Sequence, residues 1–131
     1  MTMPHCHAVV WIDHQQAHIV KFNRSESSGQ LVLHEGAPAH IHHKAGSVGS
    51  GHVYEDDSYL HSVADALRDA EEIMLTGPSQ VKWQLKSFLS LREPGLAGRV
   101  AAVETLNHPS DPELLALARK YFVRHDRMLP H

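Results

Sequence analysis

Residues 73–85 read Ile-Met-Leu-Thr-Gly-Pro-Ser-Gln-Val-Lys-Trp-Gln-Leu, and this join between two elements decides the fold class. Residues 72–76 have the length and apolar content of a short buried strand that ends at Gly77. Pro78 suits the first position of a helix, because its φ is already helical and its missing N–H needs no partner there. The apolar residues that follow repeat at helical spacing: Val81, Leu85, Phe88 and Leu89. A buried strand that leads directly into a helix indicates an α/β protein.

Three strands are predicted before this join. Residues 7–13 form an apolar run that suits a strand covered on both faces. Residues 17–22 resume the apolar pattern after a short polar break and predict a hairpin with the first strand. Residues 23–29 are a polar turn, and residues 30–35 alternate in the manner of a third strand. The chain therefore opens with three consecutive antiparallel strands.

Two more helices and a fifth strand complete the prediction. The first helix has its apolar residues at i, i+3, i+4 and i+7: Leu60, Val63, Ala64 and Leu67. Residues 99–106 are typical of a strand, and Ser110 with Glu113 forms a capping box at the start of the third helix. The order is β-β-β-α-β-α-β-α, which predicts an α/β fold with one mixed sheet of about five strands and three helices.

The length, composition and net charge of the sequence limit the class of protein. The 131 residues are most simply one domain, 1–131, and 42% hydrophobic with 21% charged residues is ordinary for a soluble globular chain. The single cysteine, Cys6, has no partner, which fits a reducing compartment. No apolar run has membrane-spanning length and residues 1–6 lack the pattern of a signal peptide, so a cytoplasmic location without membrane contact is expected. A formal net charge of −3 argues against indiscriminate binding to nucleic acid.

Residues 36–55 form a long stretch without an apolar period, and we predict a flexible functional loop there. Its glycines favour irregular backbone. Its histidines reach the ligand count of a zinc site: His40, His42, His43 and His52. The competing interpretation is a set of exposed, loosely basic side chains, because spacing alone does not establish a metal site.

Outside this loop, Asp13 and Cys6 are two further candidates for reactive groups. Asp13 ends the first strand, where ribonuclease-H-like sheets place a metal-binding acid. A two-metal nuclease needs several converging carboxylates, however, and nothing brings Glu104 and Asp111 to Asp13. Cys6 stands between two histidines but lies near the terminus. The structural interpretation of both residues is preferred.

The second helix carries Trp83 on the side opposite its apolar face. Lys82 and Lys86 are expected to flank this tryptophan. A tryptophan between two lysines can stack on a base while the ammonium groups contact phosphate. Packing under a loop or in a homodimer contact explains Trp83 equally well.

The chain resembles the middle domain of the class-1 peptide-chain release factor of eukaryotes and archaea, the surveillance factor Pelota, and small bacterial relatives labelled as translational machinery proteins. The resemblance runs over residues 9–122 and rests on residues 42–46, 59–67 and 73–85. It implies a ribonuclease-H-like fold of the translational machinery component type. In the family, the long loop reaches the ribosomal peptidyl-transferase centre.

The chain departs from this family in the loop. Release factors carry Gly-Gly-Gln at the loop tip, and its glutamine helps to position water against the peptidyl-tRNA ester. The equivalent residues 47–52 here read Ser-Val-Gly-Ser-Gly-His, and no glutamine occurs in residues 36–55. The resemblance therefore does not carry peptide release over to this chain.

The sequence thus predicts a non-catalytic module that associates with the ribosome, rRNA or tRNA. The expected contacts are His42, His43, Lys44, Gly46, Gly49, Gly51, His52, Lys82, Trp83 and Lys86. No catalytic residue and no cofactor is assigned. Two alternatives stay open: a hydrolase that uses the loop histidines, with zinc or with His52 as a base toward peptidyl-tRNA, and a protein-interaction module without RNA contact. Self-association is compatible with each.

Overall fold

The structure is a computed structural model that describes residues 6–34 and 57–128. One sheet contains five strands: β1 (Cys6–Ile12), β2 (Gln16–Phe22), β3 (Ser27–Leu33), β4 (Ala70–Gly77) and β5 (Val100–Thr105). The helices in these ranges are α1 (Asp57–Ala66), α2 (Val81–Arg92), α3 (Pro94–Ala97) and α4 (Asp111–Met128). The strand order is β3-β2-β1-β4-β5, with β1 to β3 antiparallel and β1, β4 and β5 parallel. The predicted α/β fold with a mixed five-stranded sheet is confirmed.

Some element boundaries were predicted wrongly. β3 begins at Ser27 and not at residue 30, because ladder pairing with β2 needs only backbone groups and therefore includes Ser28 and Gly29. α2 begins at Val81 and not at Pro78, since Gly77 has φ +156°, far from helical values, and residues 78–80 form a turn before the helix. The short α3 was not predicted. It is a single turn that begins at a proline after the end of α2.

Two separate apolar clusters lie on the two faces of the sheet. α1, α2 and α3 cover one face, where Ala8, Val10 and Ile12 of β1 are buried. α4 covers the other face, where Val9 and Trp11 of β1 are buried. β1 is therefore the strand covered on both faces, as its continuous apolar run predicted. Because β1, β4 and β5 run parallel, their carboxyl ends lie at the same edge of the sheet.

β3 is an edge strand, and its position decides which of its side chains are buried. Val32 packs against the cluster under α1 and α2. Leu31 and Leu33 point to the opposite face and are 51% and 60% exposed. The alternation in the sequence identifies the strand, but it does not indicate which of the two faces is covered, because that depends on where α4 lies.

The start of α4 is held by the predicted capping box. The backbone N–H of Ser110 donates to the Glu113 carboxylate at 2.8 Å, and the N–H of Glu113 donates to Ser110 Oγ at 3.2 Å. The hydrogen bond from the Ser110 backbone N–H, followed by an interaction with the Ser110 side chain, lowers the pKa of the Glu113 carboxyl. The capping box is confirmed, and because its Glu113 carboxyl titrates, the stability of this helix start should depend on pH.

Substitution Ser110→Ala is expected to lower the free energy of unfolding by about 1 kcal/mol, because it removes the acceptor for an orphan N–H. The Glu113 contribution is complete above the ordinary carboxyl pKa of 4.5 and is lost as pH falls through the lowered value. Urea denaturation at pH 7 and at pH 3 measures both effects. Glu113→Gln is the control: its amide does not titrate, so its stability difference from the parent chain should change with pH. A pH-independent difference would contradict this account of the cap.

Candidate functional site

Most of the predicted contact residues lie outside the described ranges. These are the loop residues His42, His43, Lys44, Gly46, Gly49, Gly51 and His52, and the possible zinc ligand His40 also lies outside these ranges. The structure therefore leaves the predicted loop contacts and the zinc alternative untested. Three predicted residues remain for comparison with the structure: Lys82, Trp83 and Lys86.

The two chain segments that border residues 35–56 are held together at the carboxyl end of β1. The His34 ring stacks on the Tyr59 ring with centroids 4.4 Å apart and an angle of 5° between the planes. His34 Nδ1 donates to the carbonyl oxygen of His14 at 2.8 Å, and its backbone N–H donates to Gln15 O at 2.9 Å. The Tyr59 hydroxyl donates to Asp13 O at 2.9 Å. The residues on either side of the predicted loop therefore meet beside the β1–β2 turn.

Asp13 has a structural role in this turn. Its Oδ1 accepts hydrogen bonds from the backbone N–H groups of Gln15 at 2.8 Å and Gln16 at 2.9 Å. This arrangement is an Asx turn, in which the carboxylate replaces a backbone acceptor. Among the residues that the structure describes, no group of three or more His, Cys, Asp or Glu side chains could hold a metal ion.

Cys6 lies at the opposite end of β1, and its thiol is a poor nucleophile. Its side chain is fully buried. Burial, with a further contribution from the Asp69 carboxylate, raises the pKa of the Cys6 thiol. The reactive species of a cysteine is the thiolate, so this position favours the structural interpretation.

The surface of α2 carries Trp83 but not both lysines. Trp83 is 47% exposed and Lys86 is half-buried, whereas Lys82 is only 3% exposed. The expectation that both lysines flank the tryptophan at the surface was wrong. Lys82 lies three residues before Leu85 and seven before Leu89, and this spacing places it on the buried side of the helix. The helical spacing of Lys82 is visible in the sequence, but a charged side chain indicates a surface position, so its burial was not predicted.

The buried Lys82 bends back toward the start of its own helix. Its Nζ donates to Ser79 O at 2.6 Å. Within the described part of the chain, no carboxylate lies within ion-pair distance of this ammonium group. A buried cation without a counter-charge is unusual, because its lost hydration must be replaced by other polar contacts.

A group of aromatic and titratable side chains on the α4 face was not predicted. The Trp11 ring stacks on His108 with centroids 4.2 Å apart, and His18 lies 5.2 Å from His108. His18 Nδ1 is 3.2 Å from Asp111 Oδ1, and Trp11 Nε1 donates to Leu106 O at 3.0 Å. These residues come from β1, β2, the β5–α4 connection and α4, so no local motif could reveal them. The group joins α4 to the sheet.

None of the helices in residues 57–128 is both long and apolar enough to cross a bilayer.

The comparison with solved structures supports the fold. No family model matches the chain, and no curated protein matches its sequence. The chain is similar to the crystal structure of Archaeoglobus fulgidus Pelota, with 12% identity, a TM-score of 0.62, and coverage of 90% of this chain and 32% of that one. It is also similar to the Thermoplasma acidophilum Pelota protein, with 15% identity, a TM-score of 0.54, and coverage of 86% and 31%.

A third solved structure, described as an archaeal protein, matches with 12% identity and a TM-score of 0.56, over 86% of this chain and 32% of that one. The chain therefore spans about a third of the length of the structures it matches. At these identities the likeness shows a shared fold. The fold expected from the resemblance to the release-factor and Pelota families is confirmed.

Proposed function

We propose that the chain, which shares its fold with part of Pelota, is a translation-related, release-factor-like module that binds the ribosome or tRNA without catalysing peptide release. The observation that carries this proposal is the agreement between the sequence resemblance and the structural similarity. Residues 42–46, 59–67 and 73–85 resemble the release-factor family, and the whole described fold is similar to the Pelota structures. The proposal places the protein in the cytoplasm, with the ribosomes.

The absence of catalysis follows from the residues of the loop. The family uses a glutamine at the loop tip, and residues 36–55 contain none. His52, the residue at the end of the equivalent stretch, is an imidazole with a different shape and different hydrogen-bonding groups. A module that has lost the triplet keeps the means to bind, and the glycine-rich backbone of residues 46–51 can follow a phosphate surface closely.

The proposed contacts come from residues 42–52 and, within the described ranges, from the exposed side of α2. Trp83 presents an aromatic face that can stack on an unpaired base. Lys86, three residues later on the same helix, would place its ammonium group near the adjoining phosphate. Because the net charge of the chain is −3, binding must depend on such local contacts and weaken as salt rises.

Substitution Trp83→Ala is expected to weaken binding to ribosomes by about 5- to 150-fold, since a base stacked on an aromatic side chain contributes about 1–3 kcal/mol. Co-sedimentation of the chain with ribosomes at low salt, followed across a salt series, measures the change. Leu91→Ala is the matched control, because Leu91 is another large apolar residue on α2 and is 80% exposed. If both substitutions weaken binding equally, or the parent chain fails to co-sediment at low salt, the proposal is wrong.

Affinity capture from the native cytoplasm, with and without ribonuclease, separates the remaining alternatives. Loss of the captured partners after ribonuclease treatment supports binding through RNA. Capture that resists the nuclease, and that Trp83→Ala leaves unchanged, would favour the protein-interaction module. Release of peptide from peptidyl-tRNA that His52→Ala abolishes would favour the hydrolase.

A further inference from the structure

β3 forms one edge of the sheet, and in the part of the chain that the structure describes no strand pairs with its outer side. All of its residues except Val32 are exposed. Such an edge presents a row of backbone donors and acceptors that can pair with another chain. Proteins usually block this pairing with a lysine, a proline, a bulge or a covering element.

β3 has none of the blocking features that lie within a strand itself. Its sequence, Ser-Ser-Gly-Gln-Leu-Val-Leu, contains no charged residue and no proline. Its pairing with β2 runs from Ser27 to Leu33 in one unbroken register, so no bulge bends the strand. β5 at the other edge differs: it carries Glu104, its pairing with β4 has a register shift, and residues 100–103 are half-buried. β3 is therefore the edge that is open to another strand.

The hydrogen bonds to β2 show which backbone groups of β3 point to the open edge. The N–H of His34 donates to Gln15 O at 2.9 Å, and the N–H of Asn23 donates to Glu26 O at 3.0 Å. Residues 26 and 34 therefore direct backbone groups toward β2, and in an antiparallel pair this direction alternates along the strand. The groups that point away from β2 are the N–H and C=O groups of Ser27, Gly29, Leu31 and Leu33.

An antiparallel copy of β3 would match this strand over its full length. If two β3 strands pair about a two-fold axis at Gln30, Leu31 lies opposite Gly29 of the second copy. In the same register, Leu33 lies opposite Ser27 of the second copy. Each leucine, now 51% or 60% exposed, would then cover a small residue. Every outward N–H or C=O group of one strand would meet its counterpart in the other.

The residues that flank β3 favour the same antiparallel register. Glu26 precedes the strand and His34 follows it, and in this register Glu26 of each copy lies opposite His34 of the other. The exposed Glu26 carboxylate would therefore face an imidazole, which can donate a hydrogen bond or carry the opposite charge. A parallel copy in register would instead place the two Glu26 carboxylates side by side, where like charges repel.

We infer that β3 pairs with β3 of a second copy of this chain, antiparallel and about a two-fold axis at Gln30, which joins the two five-stranded sheets into one. Because β3 is the open edge among the described strands, the association stops at the dimer. One strand from each copy is a small interface, so the dimer should be weak, with a dissociation constant of about 10–1,000 µM. The inference goes beyond the proposed function and does not require that the chain bind ribosomes.

Sedimentation velocity of the full chain over a concentration series tests the dimer. The expected result is a reversible equilibrium between monomer and dimer. Leu31→Lys should weaken the association by about tenfold or more, because it replaces an apolar contact with like charges and acts twice in a symmetric dimer. Leu91→Lys is the matched control, since it makes the same change at an 80% exposed leucine of α2 and should leave the dissociation constant within about twofold.

Three results of this experiment would overturn the dimer. A parent chain that stays monomeric up to about 1 mM would leave the edge to a strand of a different protein. Equal weakening by Leu31→Lys and Leu91→Lys would indicate a general effect of added charge. Open-ended assemblies would indicate head-to-tail pairing, which a two-fold axis excludes.

Oxidative cross-linking tests the register. Gln30 would lie opposite itself in a non-hydrogen-bonded pair, whose Cα atoms are about 4.5 Å apart, so Gln30→Cys should form a disulfide between the two copies. Ser28→Cys, at an exposed position of the same strand, is the control: residue 28 would lie opposite residue 32, too far from its own counterpart to be bridged. The parent chain gives the background, because Cys6 is buried. Equal cross-linking of the two variants would overturn the two-fold axis at Gln30.

Amide hydrogen exchange in the parent chain identifies the occupant of the edge without any substitution. At low concentration, the outward N–H groups of Gly29, Leu31 and Leu33 should exchange faster than those of Gln30 and Val32, which are directed toward β2. At high concentration, the outward groups should become protected. Protection at every concentration would assign the edge to another segment of the same chain, and protection at none would leave it unpaired. Either result would overturn the pairing with a second copy.

Discussion

Substitution Gly77→Ala is expected to lower the free energy of unfolding by about 3–5 kcal/mol, combining backbone strain with a steric clash. Gly77 has φ +156°, a conformation that residues with side chains rarely adopt. A Cβ built there would lie 2.3 Å from Ile12 O. The obstacle is the backbone of the central strand, which cannot rotate away as a side chain would. Urea denaturation followed by circular dichroism gives the free energy.

Gly95→Ala is the matched control for this substitution. Gly95 lies in α3, and a Cβ there would meet no atom within 4 Å. Alanine is the better helix former, so stability should stay unchanged or rise by up to about 1 kcal/mol. A Gly77→Ala chain as stable as the Gly95→Ala chain would show that β1 and β4 do not pack as closely as described.

Substitution Trp11→Ala is expected to cost about 3–5 kcal/mol of folding stability, the range for removal of a large aromatic side chain from a core. Trp11 is 2% exposed and belongs to the cluster between the sheet and α4. The change also leaves Leu106 O without its donor and His108 without its stacking partner. The midpoint of urea denaturation should fall accordingly, and α4 should lose protection from hydrogen exchange before α1 and α2 do.

The second tryptophan of the chain provides the comparison. Trp83→Ala should change the free energy of unfolding by no more than about 1 kcal/mol, because the side chain is half-exposed on α2. The two substitutions should therefore affect different properties. Trp11→Ala lowers the free energy of unfolding, whereas Trp83→Ala leaves the chain stable and, under the proposed function, weakens its binding to ribosomes. A large loss of stability in Trp83→Ala would indicate that this residue packs against the body of the protein and is not part of a binding surface.

Much of the fold could be predicted from local sequence patterns. The capping box of Ser110 and Glu113 placed the start of α4, the apolar runs of residues 7–13 and 17–22 placed the first two strands, and alternation placed the third. These features are local, because caps and periodicity depend on residues within a few positions of each other. The resemblance of the join at residues 73–85 then led to the fold that the Pelota structures share.

The candidate sites could be predicted less completely. The exposure of Trp83 could be predicted from its place opposite the apolar face of α2, whereas its role in binding stays a prediction. The predicted surface position of Lys82 is wrong, because a lysine is rarely buried without a partner and its charge therefore indicated the surface. The aromatic group around Trp11 and His108 was missed, since its members are far apart in the chain.

The sequence by itself determined the order of the five strands and of α1, α2 and α4, their periodicity and the start of α4, because these depend on short-range sterics and hydrogen bonding. It also determined that residues 36–55 contain no Gly-Gly-Gln triplet, which is a matter of residue identity. Only the tertiary structure decided that Lys82 lies inside, that Leu31 and Leu33 lie outside, and that Gly77 touches β1. The physical reason is that burial depends on which elements pack together, and that packing is set by contacts between residues distant in sequence.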